Sequence, residues 1–245
     1  ATNHPALLVE LLTEELPPHA LTRLADSFAQ GIRTRLAARQ LLASEDATAD
    51  IYATPRRLAV HLPGVRAQAD AREIQIKGPS VAVGLDAEGQ PTKALIKWAE
   101  KQGAEVSALT RGHDGKQDVF YWSSTQPGAV LADVIGEIIV ETLAQLPIPK
   151  FMTYQLADGL TTVSFVRPAH RLVVLHGDGV LPCTVLGLAA DRITDGHRFL
   201  SSGPITLENA DSYARQLREQ GHVEPEYQAR RVMIANELAH ASQQN

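Results

Sequence analysis

The stretch Leu172-Val173-Val174-Leu175-His176-Gly177-Asp178-Gly179-Val180-Leu181-Pro182-Cys183-Thr184-Val185-Leu186-Gly187-Leu188 decides the fold class. Leu172–Leu175 and Cys183–Leu188 are short aliphatic runs that read as strands. Gly177-Asp178-Gly179 between them is a turn signal, because glycine takes a positive φ without steric cost. Two strands joined this closely form a hairpin, and a hairpin pairs antiparallel. A purely parallel sheet is therefore excluded.

Working outward, Thr162–Val166 adds a strand upstream, and the two prolines within 147–152 make that segment irregular. Downstream, a helix is expected over Leu207–Glu219. A second is expected after Pro225, carrying Val232, Ile234 and Leu238, with 241–245 frayed. At the other end, Leu7–Thr13 reads as a strand. Leu21, Leu24, Phe28, Ile32 and Leu36 recur at helical spacing on one face, leaving Arg23, Arg33 and Arg35 largely off it. Ile51–Ala53, Arg57–Leu62, Glu73–Lys77 and Val119–Ser123 are further strands. Thr92 caps a helix over Lys93–Gln102 that Gly103 stops. Val130, Leu131, Val134, Ile135, Ile138 and Ile139 define another helix, with Asp133, Glu137 and Glu141 as its acidic outer row. The expected class is α+β, with mixed or mainly antiparallel sheets, packed helices and possibly two subdomains. The expected divisions are an α+β region over 1–150, a β-rich region with the hairpin over 151–206, and a helical segment over 207–245.

Composition bounds the function. The chain has 245 residues, 44% hydrophobic and 21% charged, with a formal net charge of −5, an ordinary globular balance. A free-standing nucleic-acid binder usually carries a basic excess, so any such contact must come from a local patch. Cys183, the single cysteine, excludes an internal disulfide and cysteine-based structural zinc, and reads as a buried structural thiol. No run is long and apolar enough for a membrane span, and Leu7–Leu12 is interrupted by Glu10 and lacks a basic leader. Cytoplasmic residence is expected.

Familiar catalytic motifs are missing: no Walker loop, GxGxxG or His-Glu-x-x-His occurs, and Ser80, Ser123 and Ser164 lack a nucleophile elbow. His113-Asp114, between two glycines, reads as a solvated turn rather than a metal site. One carboxylate of Glu14-Glu15 is expected to meet the following helix N-terminus. Three basic clusters remain: Ala53-Thr54-Pro55-Arg56-Arg57-Leu58-Ala59, Phe165-Val166-Arg167-Pro168-Ala169-His170-Arg171 and Thr194-Asp195-Gly196-His197-Arg198-Phe199-Leu200. Each sets cationic side chains on a backbone fixed by proline or loosened by glycine. The arginine fork suits phosphate. The candidate contact residues are Arg56, Arg57, Arg167, His170, Arg171, His197 and Arg198. In the first cluster, one arginine can face a partner while the other pairs internally. Internal or interdomain ion pairs explain the arginines as well, and His197 reads as a hydrogen-bonding turn residue.

These clusters belong to an ordered series. Leu8-Val9-Glu10, Thr13-Glu14-Glu15-Leu16-Pro17, the Thr54-Pro55-Arg56-Arg57 cluster, Lys77-Gly78-Pro79-Ser80 and Pro91-Thr92-Lys93-Ala94 come first. Ile148-Pro149-Lys150, Phe165-Val166-Arg167-Pro168 and Gly196-His197-Arg198-Phe199 follow. In this order they resemble the N-terminal part of the bacterial glycyl-tRNA synthetase beta subunit, over roughly 7–200. The sequence departs from the family pattern at Leu11-Leu12, usually Ile-Gly, and at Arg171, usually aromatic. It departs again at Phe151-Met152-Thr153-Tyr154, where the family reads like Met-Arg-Trp.

The resemblance implies a portion of a glycine-tRNA ligase, noncatalytic by itself, that positions glycine tRNA and takes part in subunit and domain assembly. It implies an alpha-subunit partner in an α2β2 enzyme. ATP and magnesium would be used through the alpha subunit, with no cofactor in this portion and neither membrane nor DNA as a partner. The family's HD-like and anticodon-binding domains lie outside this sequence. A pure interface module, or a vestigial editing-type domain similar to that of the phenylalanyl-tRNA synthetase beta chain, are the alternatives.

Overall fold

The computed structural model describes residues 3–147, 152–155, 162–165 and 169–233. They divide into two units, Ala1–Ala69 with Ala129–Asn245, and the intervening Asp70–Gly128. The fold is α+β with antiparallel sheets.

The larger unit is built on a six-stranded sheet, in the order Gly179–Val180, Ala169–His176, Leu7–Thr13, Arg57–Leu62, Thr48–Thr54 and Glu226–Met233. Every neighbouring pair is antiparallel. Leu7–Thr13 lies near the centre and is buried along its whole length, which is why it reads as an almost unbroken apolar run. Leu7, Val9 and Leu11 face one core. There they meet Leu58, Val60 and Val174 from the sheet, with the helices Leu21–Ala38 and Leu131–Ala144 above. The side chains of Leu24, Phe28, Ile32 and Leu36 are buried as their spacing predicts. At Gly31 the two helices come so close that a Cβ would sit 2.7 Å from Thr142 Cγ2. Arg35 and Arg39 reach across to Glu141 at 3.2 and 3.8 Å.

Leu8 and its neighbours face a second core formed with Tyr52, Ala59, Val173 and Leu175. This core is closed by Ile205, Leu207, Tyr213 and Leu217. The covering segment is a short hairpin, Ile193–Asp195 with Pro204–Thr206, followed by the helix Tyr213–Glu219. The sheet is thus sandwiched, with two long helices on one face and a hairpin-helix segment on the other.

The smaller unit is a three-stranded antiparallel sheet, ordered Arg72–Ser80, Asp118–Gln126, Thr110–His113, with the helix Lys93–Gln102. The helix ends are those the sequence marks: Thr92 Oγ1 accepts from the Leu95 N–H, and Gly103 closes the helix at φ 71°. Gly78 lies against the Trp98 ring, where a Cβ would come within 2.8 Å of the indole.

Several expectations are corrected. The Gly177 turn forms, but Cys183–Leu188 is not one strand. Thr184–Val185 pairs with Leu188–Ala189, because Leu186 and Gly187 both take positive φ, 52° and 76°, and fold the run onto itself. The segment after Pro225 is a strand over Glu226–Met233, not a helix; the open edge of Thr48–Thr54 offers it backbone partners that its helical pattern does not outbid. Ile234 and Leu238 lie outside the described residues. The helix expected from Leu207 begins at Tyr213, because Asn209 and Ser212 close a turn on each other's side chains. Arg33 is buried and donates to the Glu45 carbonyl at 2.6 Å.

His113 and Asp114 end a strand and open a turn. Asp114 accepts from Lys77 Nζ at 2.5 Å and from the Lys116 and Gln117 N–H groups, which hold its carboxyl below the usual range. Neither glutamate of Glu14-Glu15 stands in the first turn of the following helix. Cys183 is half-buried, and burial raises its thiol pKa.

Candidate functional site

Sheet register brings the basic clusters together. Leu12 pairs with Arg57 on one side and with Arg171 on the other. Two arginines that are far apart in sequence therefore share one end of the sheet and the face that carries Glu10. The third cluster leaves the hairpin strand Ile193–Asp195, which covers this same face.

Asp195 joins all three. Its carbonyl accepts from Arg57 Nη2 at 2.6 Å, and its carboxylate accepts from Arg171 Nε at 3.0 Å. Beneath it, Glu10 is fully buried. Its carboxylate accepts from Arg57 Nη1 at 3.2 Å, from the Thr194 hydroxyl and from the Tyr213 hydroxyl. Burial disfavours the charged guanidinium of Arg57, but the Glu10 carboxylate and the Tyr213 oxygen outweigh it, and the net shift is upward. Burial, then the Glu10 charge, pushes the Tyr213 phenol well above its ordinary value, so it stays a donor.

Of these groups Arg57 and Asp195 line an open cleft of about 710 Å³, whose walls also include Arg56, His170, His197, Arg198 and Phe199, whereas Glu10, Thr194 and Tyr213 are buried and do not reach it. Arg56 stands at the tip of the two-residue turn Pro55-Arg56, closed by the Thr54–Arg57 pair. The first cluster's arginines diverge because Arg56 sits in the turn while Arg57 begins the next strand: Arg57 is buried and Arg56 exposed. His170 Nε2 is 2.7 Å from Glu14 Oε1, and the hydrogen bond and charge of His170 hold the Glu14 carboxyl below its ordinary value.

His197 does serve as a turn hydrogen-bonder. Its Nδ1 accepts from the N–H groups of Phe199 and Leu200 at 3.1 and 3.2 Å, which places the ring proton on Nε2. Gly196 lies so close to Gly221 that a Cβ would sit 2.7 Å from the Gly221 carbonyl oxygen.

Among the described residues, the guanidinium groups of Arg56 and Arg198 meet no carboxylate within ion-pair distance, whereas Arg57 and Arg171 do. Arg198 instead lies over the Phe199 ring at 5.9 Å. Arg167 lies outside the described residues. Arg171 is held beside the cleft by Asp195 rather than lining it.

Sequence reasoning missed Glu10, Asp195 and Tyr213. Only Glu10 left a readable signal, as the one charge in an apolar strand. Among the described residues no group of three or more His, Cys, Asp or Glu side chains is placed to hold a metal ion, and no helix is long and apolar enough to cross a membrane.

Comparison with known proteins places this arrangement in context. Residues 7–245 match the family described as glycyl-tRNA synthetase beta subunit. The chain is 48% identical over 98% of its length to a glycine–tRNA ligase beta subunit of Delftia acidovorans. It is 49% identical over 96% to that of Leptothrix cholodnii, and 47% identical over 95% to that of Neisseria meningitidis. It spans only 35, 34 and 33% of those proteins' own lengths.

Proposed function

We propose a role for the cleft from one premise: the chain belongs to the glycyl-tRNA synthetase beta subunit family. A ligase of that kind handles tRNA, a polyanion. In our reading this region positions tRNA through its phosphates, with Arg56 and Arg198 as the principal contacts and His170 and His197 as further donors around them. Such contacts fix register and orientation rather than read bases. Arg57 and Arg171 hold the cleft's shape through Glu10 and Asp195. The chemistry with ATP and magnesium falls to an alpha subunit in an α2β2 enzyme, and this region supports that assembly in the cytoplasm.

The observation that carries the reading is the convergence of three sequence-distant clusters on one cleft, with Arg56 and Arg198 in no ion pair among the described residues although both lie near enough to act on the Glu14 charge. Aminoacylation kinetics of the assembled enzyme test it. The double variant Arg56→Ala/Arg198→Ala should raise KM for tRNA by about 10-fold, as lost charge-assisted contacts would. KM for glycine and ATP should stay put. An unchanged KM for tRNA would favour the interface-module alternative, in which this surface touches protein alone.

A further inference from the structure

We infer that the cleft takes an unpaired nucleotide of the tRNA, its base stacked on Phe199 and its phosphate held by Arg56 and Arg198. The inference rests on the reading above and adds the chemical class of the group bound.

Phe199 is 83% exposed and Leu200 63%, an unusual placement for large apolar side chains. The exposure is not the result of a loose loop. The His197 N–H donates to the Gly221 carbonyl at 2.6 Å, the Ser201 N–H donates to the His197 carbonyl at 3.0 Å, and His197 Nδ1 accepts from the Phe199 and Leu200 N–H groups. Gly196 against Gly221 fixes the entry to the turn. The ring is therefore presented to solvent by a backbone that is already ordered, and a ligand meets it without an ordering cost.

Its surroundings point to nucleic acid. Arg198 lies over the ring at 5.9 Å, Arg56 lines the same cleft, and both stand in a chain whose net charge is −5. An aromatic side chain interleaved with guanidinium groups matches a strand in which bases and phosphates alternate. Within a paired stem the bases cover one another's faces, and only the outer face of a terminal pair stays open. A concavity of about 710 Å³ has the size of a pocket that encloses a small ligand, about 300–1,000 Å³, not that of a groove for a duplex. An unpaired nucleotide satisfies the ring, the cations and the volume together.

The test uses the full-length beta subunit assembled with its alpha subunit. A photoreactive benzoylphenylalanine at position 199 is irradiated with bound tRNA, and the crosslinked nucleotide is mapped. In parallel, tRNA affinity is measured for Phe199→Ala and Phe199→Trp. The expected results are a crosslink to an unpaired nucleotide, a roughly 5- to 100-fold loss for the alanine variant, and retention by tryptophan. Because the side chain is exposed, the alanine variant should fold normally. A crosslink to a paired nucleotide, or an alanine variant that binds normally, overturns the stacking inference while leaving the phosphate contacts standing. A crosslink to protein, or weakened alpha-subunit association without tRNA, overturns it in favour of a protein contact. If Arg56→Ala/Arg198→Ala also leaves tRNA affinity unchanged, the underlying reading falls with it.

Discussion

At the scale of single residues, Glu10 anchors Arg57, which lines the cleft. It takes three donors from three separate segments, and among the described residues it is the carboxylate that pairs with the buried Arg57. Removing one partner of a buried pair leaves an uncompensated charge, a loss of about 3–5 kcal/mol. Glu10→Ala should therefore lower unfolding stability in urea by about that amount, whereas Arg56→Ala, at the exposed turn tip, should change it by less than about 0.5 kcal/mol. If the two variants proved equally stable, the buried network would not be holding Arg57 in place. Glu10 was visible in the sequence as a charge where none belonged. Its partners were not, because Arg57, Thr194 and Tyr213 are joined to it only by sheet pairing and by the segment that folds over the sheet.

At the scale of elements, close approach and titration make separate predictions. Gly196→Ala would drive a Cβ into Gly221 backbone. It should cost roughly 1–3 kcal/mol, as overpacking does, and weaken tRNA binding by shifting the turn that carries His197, Arg198 and Phe199. Thermal melts paired with binding would show both losses; an unperturbed variant would mean the turn is not pinned there.

His61 links three elements, lying 2.7 Å from Asp211 and 3.3 Å from Asp50. Burial disfavours its charge, but the two carboxylates outweigh burial and raise its pKa above the ordinary 6.5. A raised folded pKa gives stability that is full below about pH 6.5 and lost as pH climbs through the folded value. Melting temperature should fall over that interval in the wild type and more weakly in His61→Asn. Parallel profiles for the two proteins would contradict the linkage.

The helices at Leu21–Ala38, Lys93–Gln102 and Leu131–Ala144 were legible because their spacing and end signals are local. The strand Glu226–Met233 was not, since what recruits it is a sheet edge placed by residues far upstream.

At the scale of the whole molecule, the exclusion of a purely parallel sheet followed from one hairpin signal, but the convergence of the clusters did not. Nothing local says that Arg57 and Arg171 flank the same rung at Leu12, or that the Asp195 segment crosses above them. Register and layer order create the site, and both are long-range. The smaller unit, Asp70–Gly128, supplies none of the cleft's walls, so its removal is not expected to abolish the cationic surface.

The central claim is that Arg56 and Arg198 act as phosphate contacts. It is tested most directly by the salt dependence of tRNA binding to the assembled enzyme, wild type against Arg56→Ala/Arg198→Ala. Each lost contact should flatten the slope of log K against log salt by about 0.7 to 0.9. The account therefore predicts a double variant whose slope is shallower by roughly 1.4 to 1.8 and whose affinity converges on that of the wild type at high salt. Two parallel lines would contradict it.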